Sequence, residues 1–327
     1  MNKGQHHVLL ILVIVAFVHP LTLAKSTPDA SLGCQLFQDG KYQEAMDVFT
    51  AIFNADNSND SAAFYLGRIC QNQGDFDKTI QWFKKAIAIN DSVSEYYHQM
   101  GLVCGLKAQS AHWWKKAGLA KDMRKHVEKA VKLDPANIEA RFSLIHIYLN
   151  MPGILGGGKA KARFQAEEIK IRDVKTGRVA LATVYESEKK YELAENELRM
   201  LIAEDPKDSE NYLRLGKILI LAEKYEKAIS VLESAIAKDP HKMDAYYQIG
   251  KVGALTGMFL EKAEVNIKHF LEHSKNQDEN SIVWANYRLG MIYEKWKKMD
   301  EAKAAYQTAL ALDPKMKPAK EALSRLK

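Results

Sequence analysis

The chain has 327 residues, 47% of them hydrophobic and 27% charged, the balance of a folded soluble protein. With 8 Pro and 18 Gly it is too poor in turn residues for a loop-rich all-β fold, and its wealth of Ala, Leu, Lys and Glu favours helix. The net charge of +6 is a small surplus of 47 basic over 41 acidic side chains, interspersed without a long basic run, so a nucleic-acid surface is not indicated.

In chain order, the first 24 residues stand apart. Lys3 supplies positive charge, Val8 to Val18 form an apolar run, and His19-Pro20 break it before the small-residue site Thr22-Leu23-Ala24. These are the three regions of a secretory signal peptide, expected to be cleaved after Ala24; an uncleaved N-terminal membrane anchor is the alternative. The run is short of the roughly 20 residues that span a bilayer, and no later stretch is long enough, so no stable membrane span is expected after cleavage. Ser31-Leu32-Gly33-Cys34 only faintly resembles a lipidation site, and the repeat pattern gives Cys34 a structural place. Cys70 and Cys104 lie 34 residues apart in one slot of successive repeats. Equivalent residues of stacked helices sit about 10 Å apart, too far for a disulfide.

From Lys25 onward the sequence repeats itself. Lys190-Tyr191-Glu192-Leu193-Ala194 is echoed by Lys224-Tyr225-Glu226-Lys227-Ala228, and the same offset of 34 links Leu198 to Leu232, Pro206 to Pro240, Gly216 to Gly250 and Gly67 to Gly101. The best single copy carries Leu289-Gly290, Tyr293, Ala302, Tyr306, Ala309 and Pro314. This pattern resembles the tetratricopeptide repeat (TPR), two antiparallel helices with small residues where they cross. Eight copies are counted, with first helices centred near Gly33, Gly67, Gly101, Ile145, Ala182, Gly216, Gly250 and Gly290. Gly216 and Gly290 are expected to face Ala228 and Ala302, with Leu232 and Tyr306 filling the seam to the next unit. Lys315 to Lys327 reads as a capping helix. The resemblance implies an all-α, right-handed α-solenoid of about eight TPR-like helix pairs with a C-terminal capping helix. The expected organisation is 1–24 signal peptide and 25–327 TPR solenoid, with insertions near 106–117, 151–158 and 273–281.

Three segments raise the question of chemistry. Trp113-Trp114-Lys115-Lys116 sits in the first insertion; neighbouring Trp on a helix point about 100° apart, so one is expected inward and the other outward as a candidate surface contact. Gly153-Ile154-Leu155-Gly156-Gly157-Gly158-Lys159 nearly spells a phosphate-binding loop. Ala160 stands where the magnesium-binding hydroxyl is required and no strand precedes it, so an inter-helix turn is expected, with at most a weak anion site at the next helix N-terminus. His269-Phe270-Leu271-Glu272-His273 spells an inverted zinc-protease motif. Phe270 falls in a repeat core slot and no cleft-forming domain is present, so surface histidines at a helix C-terminus are expected. No Cys-x-x-Cys, nucleophile elbow or dinucleotide fingerprint is present, and neither a metal nor a cofactor is expected.

A narrower resemblance, carried by Leu133-Asp134-Pro135, Ile138-Glu139-Ala140-Arg141, Tyr148, Pro152-Gly153-Ile154, Gly156-Gly157 and Lys161-Ala162, is to a group of exported bacterial TPR proteins. It speaks to fold and compartment: exported, periplasmic or secreted. TPR geometry places the second, fifth, ninth, twelfth and thirteenth positions of each repeat on a concave face. The resemblance therefore implies a peptide groove that includes Phe64, His98, Phe142, Leu213, Tyr247 and Tyr287 at the fifth position and Arg68, His146, Lys217 and Lys251 at the ninth. Aligned Lys217 and Lys251 beside Tyr247 would suit an acidic and apolar segment. Ala30 and Cys34 stand where chaperone-binding relatives need Lys and Asn, which argues against chaperone tails. The expected function is a non-catalytic protein- or peptide-binding adaptor or scaffold in the bacterial cell envelope, with homo-oligomerisation left open. The alternatives are a metal-dependent hydrolase using His269, Glu272 and His273, or a polysaccharide- or peptidoglycan-associated assembly scaffold.

Overall fold

A computed structural model describes residues 29–273 and 279–326, so the expected signal peptide and part of the 273–281 loop lie outside the described residues. One compact unit ends at Asp91 and a second spans Ser92–Lys327. The first holds α1 (Ala30–Gln38), α2 (Tyr42–Ala55), α3 (Asp60–Asn72) and α4 (Phe76–Ile89). The second holds α5 (Ser94–Ser110), α6 (Trp113–Leu133), α7 (Ile138–Asn150), α8 (Lys159–Arg172), α9 (Val174–Ser187) and α10 (Tyr191–Glu204). It continues with α11 (Ser209–Leu221), α12 (Tyr225–Lys238), α13 (Met243–Thr256), α14 (Leu260–His273), α15 (Glu279–Lys295), α16 (Met299–Leu312) and α17 (Lys317–Arg325). Every regular element among the described residues is helical, including one 3-10 turn at Gly153–Leu155.

Within the second unit each helix packs on the next in sequence, and first helices of neighbouring pairs also meet, α7 with α9, α11 with α13 and α13 with α15. A helix that can hide its apolar stripe only against its neighbours stacks in this way, which is the solenoid arrangement. The first unit contains two such pairs, the second six with α17 packed on α16.

The boundaries follow from local chemistry. Asn59 and Asn137 accept backbone N–H groups of Ala62 and Ala140, both at 2.8 Å, and so cap α3 and α7. Asp173 does two jobs, ending α8 and capping α9 through Thr176. With no spare residue between these helices, the first turn of α9 presses on the last of α8. A Cβ on Gly177 would lie 2.2 Å from the Lys170 Cα, so only glycine fits. The turn inside each pair needs a left-handed residue. Gly40 and Gly74 provide it in the first unit; Lys189, Glu223 and Lys297 are forced into it in the second, with φ of 58–59°.

The glycines at the helix crossings are covered by large residues. A Cβ on Gly216 would lie 2.5 Å from Leu232, and one on Gly290 2.5 Å from Tyr306. Leu232 and Tyr306 therefore press on the glycine of their own pair, a correction to the expectation that Ala228 and Ala302 face it. Both alanines are fully buried beside them. The insertion near 106–117 is also not a loop: it lengthens α5 to 17 residues and α6 to 21, against 13 or 14 in the three pairs that follow.

Acid–base staples tie neighbouring repeats. Burial alone would raise the Glu195 carboxyl, but hydrogen bonds from Arg199 and Lys224 outweigh it and hold it below the usual range. Glu264 behaves alike: burial opposes, and hydrogen bonds from Lys268 and Tyr293 prevail. At Glu188 burial opposes, and Arg163 and Lys190 prevail.

Candidate functional site

In the second unit the first helices present one face of small clefts. A cleft of about 260 Å³ between α9 and α11 is lined by Val179, Thr183, Glu186, Glu210, Arg214 and Lys217. Another, of about 380 Å³, shares Thr183 and Glu186 and adds His146 and Asn150 of α7 and Leu221 of α11. These are mainly the second, fifth, ninth, twelfth and thirteenth positions of their repeats, as TPR geometry implies, joined by Arg214 at the sixth. A third cleft, about 320 Å³ and mostly apolar, lies between α6, α7 and the turn after α7, lined by Ala120, Met123, His146, Met151 and Leu155. Exposed His146 borders both this cleft and the second one.

The groove residues expected from the sequence divide into two kinds. Phe64, His98 and Leu213 are buried and serve the seams. Phe64 stacks on Phe83 with ring centres 5.4 Å apart, inside the first unit. The His98 Nε2 meets the Ser143 hydroxyl at 2.9 Å and so links α5 to α7. Phe142, Tyr247 and Tyr287 are half-buried; Tyr287 packs on Tyr306 with ring centres 5.5 Å apart. The fifth position is a seam position because it points between its own second helix and the next first helix. The ninth positions lie nearer the surface. In the first unit, the Arg68 guanidinium sits 5.5 Å from the centre of the Phe37 ring and 5.8 Å from that of Phe64.

The two expected lysines differ. Lys217 is paired with Asp244, the second position of the next first helix, at 3.2 Å. Nearby, Arg214 meets Glu210 at 3.2 Å and Lys242 meets the same carboxylate at 3.6 Å. Lys251 has no acidic partner among the described residues, because Trp284 occupies the second position of α15. Arg288 of α15, which the sequence reading passed over, donates an N–H to the Tyr247 hydroxyl. It also lies 4.6 Å from the Tyr247 ring centre and 5.7 Å from that of Trp284. Burial alone pushes its guanidinium down to about 10, with no carboxylate to offset the effect. The signal was available: Arg288 holds the same sixth position as Arg214. An exposed apolar row at the thirteenth position, Leu106, Leu221 and Leu255, was likewise readable from the 34-residue offset between the last two.

The other sequence candidates resolve as follows. Trp113 and Trp114 are both exposed, 79% and 57%, so neither packs inward; Trp114 stacks on His112 with ring centres 4.5 Å apart. The glycine loop spends its amides on itself: Gly158 N–H donates to the Tyr148 carbonyl at 2.8 Å and Gly157 N–H to that of Pro152 at 3.2 Å. Lys159 reaches the Ser187 carbonyl at 2.8 Å. Amides committed in this way do not cradle a phosphate. His269 stacks on Tyr246 and on His273, each with ring centres 4.2 Å apart, and the His273 Nδ1 meets the His269 carbonyl at 2.9 Å. Burial and then the His273 charge lower the His269 pKa. No group of three metal-ligating side chains occurs among the described residues. Cys34, Cys70 and Cys104 are free, and burial raises the Cys70 thiol.

Family models described as tetratricopeptide repeat match residues 36–101, 179–242 and 283–316. No curated protein matches the sequence. The fold is similar to the crystal structure of a tetratricopeptide repeat protein from Parabacteroides merdae ATCC 43184, with a TM-score of 0.59 at 15% identity over 80% of this chain and 96% of that one. That likeness concerns the fold alone. Looser likenesses are to the C-terminal part of a TPR repeat-containing protein from Cytophaga hutchinsonii and to a thermophilic TPR protein from Thermus thermophilus. The first has a TM-score of 0.46 at 16% identity, over 90% of this chain and 99% of that one. The second has a TM-score of 0.45 at 19% identity, over 58% and 97%.

Proposed function

This chain belongs to the tetratricopeptide-repeat superfamily, and from that premise we propose that the face formed by α7, α9, α11, α13 and α15 binds an extended segment of another protein. TPR repeats are protein-interaction scaffolds. The observation that carries the reading is the adjoining pair of clefts across α7, α9 and α11, which share Thr183 and Glu186. An extended peptide suits such a strip, because successive side chains can enter successive clefts while its backbone meets polar groups between them. The exposed leucines at the thirteenth positions supply apolar seats along the same face. Affinity would come from a few well-packed side chains rather than from area.

The compartment belongs to this proposal as well. Lys3, the run Val8 to Val18 and the small residues before Lys25 support export by a cleaved leader and a role in assembling or retaining proteins of a bacterial cell envelope. No helix among the described residues is long and apolar enough to cross a membrane. N-terminal sequencing of the protein recovered from fractionated cells should start at Lys25; an intact Met1 in the membrane fraction would favour the anchored form.

A photo-crosslinking residue placed at Thr183, inside the clefts, is expected to capture a partner protein in intact cells. The same residue at Lys227, on the exposed side of α12, should capture little. Equal capture at both, or capture only at Lys227, would contradict the placement.

A further inference from the structure

We propose that Arg288 and Lys251, framed by Tyr247 and Trp284, form a carboxylate-recognition site at the step between α13 and α15, and that its occupant is an aspartate or glutamate side chain within an extended segment of the partner. The inference deepens the binding reading above and rests on it.

The argument begins with charge. A cation removed from water is stable only where something compensates it. At the preceding step, Arg214, Lys217 and Lys242 all reach a carboxylate of the chain itself, Glu210 or Asp244. At the step between α13 and α15, Lys251 and Arg288 reach none among the described residues. The acid that would answer Lys251 is replaced by Trp284, and Arg288 is answered only by a phenol oxygen and two ring faces.

Geometry brings the two cations together. Arg288 holds in α15 the register position of Arg214 in α11, and Lys251 holds in α13 that of Thr183 in α9. Thr183 and Arg214 line one cleft. The α13/α15 step therefore sets two unanswered positive charges on the same face, with aromatic walls that lower the local dielectric and strengthen any ion pair formed there. A guanidinium held by rings on its faces keeps its edge for a carboxylate, whose two oxygens match its fork. The exposed Leu255, one turn beyond Lys251, offers a seat for an apolar neighbour of the acidic residue. Because exposed leucines of the same face extend the groove past the site, an internal side chain is the assigned occupant.

The test uses the full chain and a library of random twelve-residue peptides displayed on phage. The strongest binder is then synthesised as selected, with its Asp and Glu changed to Asn and Gln, and with its C-terminus amidated. The selected peptides are expected to be enriched in Asp and Glu, and the amide-side-chain form to bind the native chain at least ten-fold more weakly. On an Arg288→Gln chain that discrimination should shrink to less than three-fold, and Arg288→Lys should restore part of it. The Arg288→Gln chain should keep or raise its Tm, because it loses a desolvated charge; a lower Tm with unchanged discrimination would mean that Arg288 is only packing. Loss of binding on C-terminal amidation alone would overturn the side-chain assignment in favour of a chain terminus. A binder that is lost on Leu221→Asp yet indifferent to Arg288→Gln would overturn the carboxylate site and leave the groove standing. Selected peptides indifferent to every substitution on this face, or no selected peptide at all, would overturn both.

Discussion

At the step from α11 to α13, Lys217 is closed off by Asp244, and Glu210 holds Arg214 and Lys242. At the step from α13 to α15, built from the same kind of helix pair, Trp284 replaces the acid and Arg288 turns to aromatic rings, while Lys251 is left without an acid among the described residues. The seams beneath both steps are equally well filled: Leu232 on Gly216 under the first, Tyr306 on Gly290 under the second. A repeat protein can thus keep its stability in the seam and vary recognition on the face, because the two sets of residues lie on different sides of the same helix.

The comparison can be broken most forcefully at the seam. Tyr306 is fully buried and its hydroxyl donates to Glu294 at 2.6 Å. Tyr306→Ala should cost about 3–5 kcal/mol in urea unfolding, from the cavity and the stranded acceptor. A loss below about 1 kcal/mol would show that the seam is not where stability resides.

Lowering the pH should weaken the staples that serve both steps. Glu188, Glu195 and Glu264 have folded pKa values held below the usual 4.5. Their contribution is therefore present above the unfolded glutamate pKa and is lost as the pH falls through the folded values. Thermal unfolding followed between pH 7 and pH 3 should show Tm constant down to about pH 5 and falling below it. Changing the three residues to Gln should flatten that fall.

A subtler operation turns the second step into the first. Trp284→Glu places an acid opposite Lys251, and peptides selected for their carboxylates should bind about ten-fold more weakly than to Trp284→Gln, a difference of about 1.4 kcal/mol. Equal binding to the two variants would mean that the missing acid is immaterial. Lys297→Gly, in the left-handed turn between α15 and α16, touches neither face nor seam; it should add about 1 kcal/mol to stability by removing a Cβ from a conformation that disfavours it. Smallest of all, Asp244→Asn opens the first step. The ion pair it removes is solvent-exposed, so stability should change by less than about 1 kcal/mol. Binding of acidic peptides should strengthen a few-fold as Lys217 is released, measured by fluorescence anisotropy.

Much of this architecture was legible in the sequence. The 34-residue offset that links Gly216 to Gly250 and Pro206 to Pro240 implies paired helices, since each glycine marks a crossing and each proline a helix end. The helix order and the terminal α17 agree with that reading. The register also marked which positions face the groove, and the clefts are lined largely by those positions. The orientation of the fifth position was not legible: Phe64, His98 and Leu213 are drawn into seams because each has a second helix or a neighbouring first helix close enough to bury it. Nor could adjacent tryptophans be sorted by helical angle alone, since the lengthened α6 presents both to solvent.

Sequence alone determined the period, the helices, the turns and the crossing residues, because these depend on contacts within about one repeat, whose spacing the chain carries along its own length. Only the tertiary structure decided which cations are answered and which are not. An ion pair such as Lys217 with Asp244 spans two helices and joins residues 27 apart in sequence. Its existence depends on where those helices cross, and the unanswered charge at Arg288 becomes visible only once Tyr247 and Trp284 are seen to enclose it.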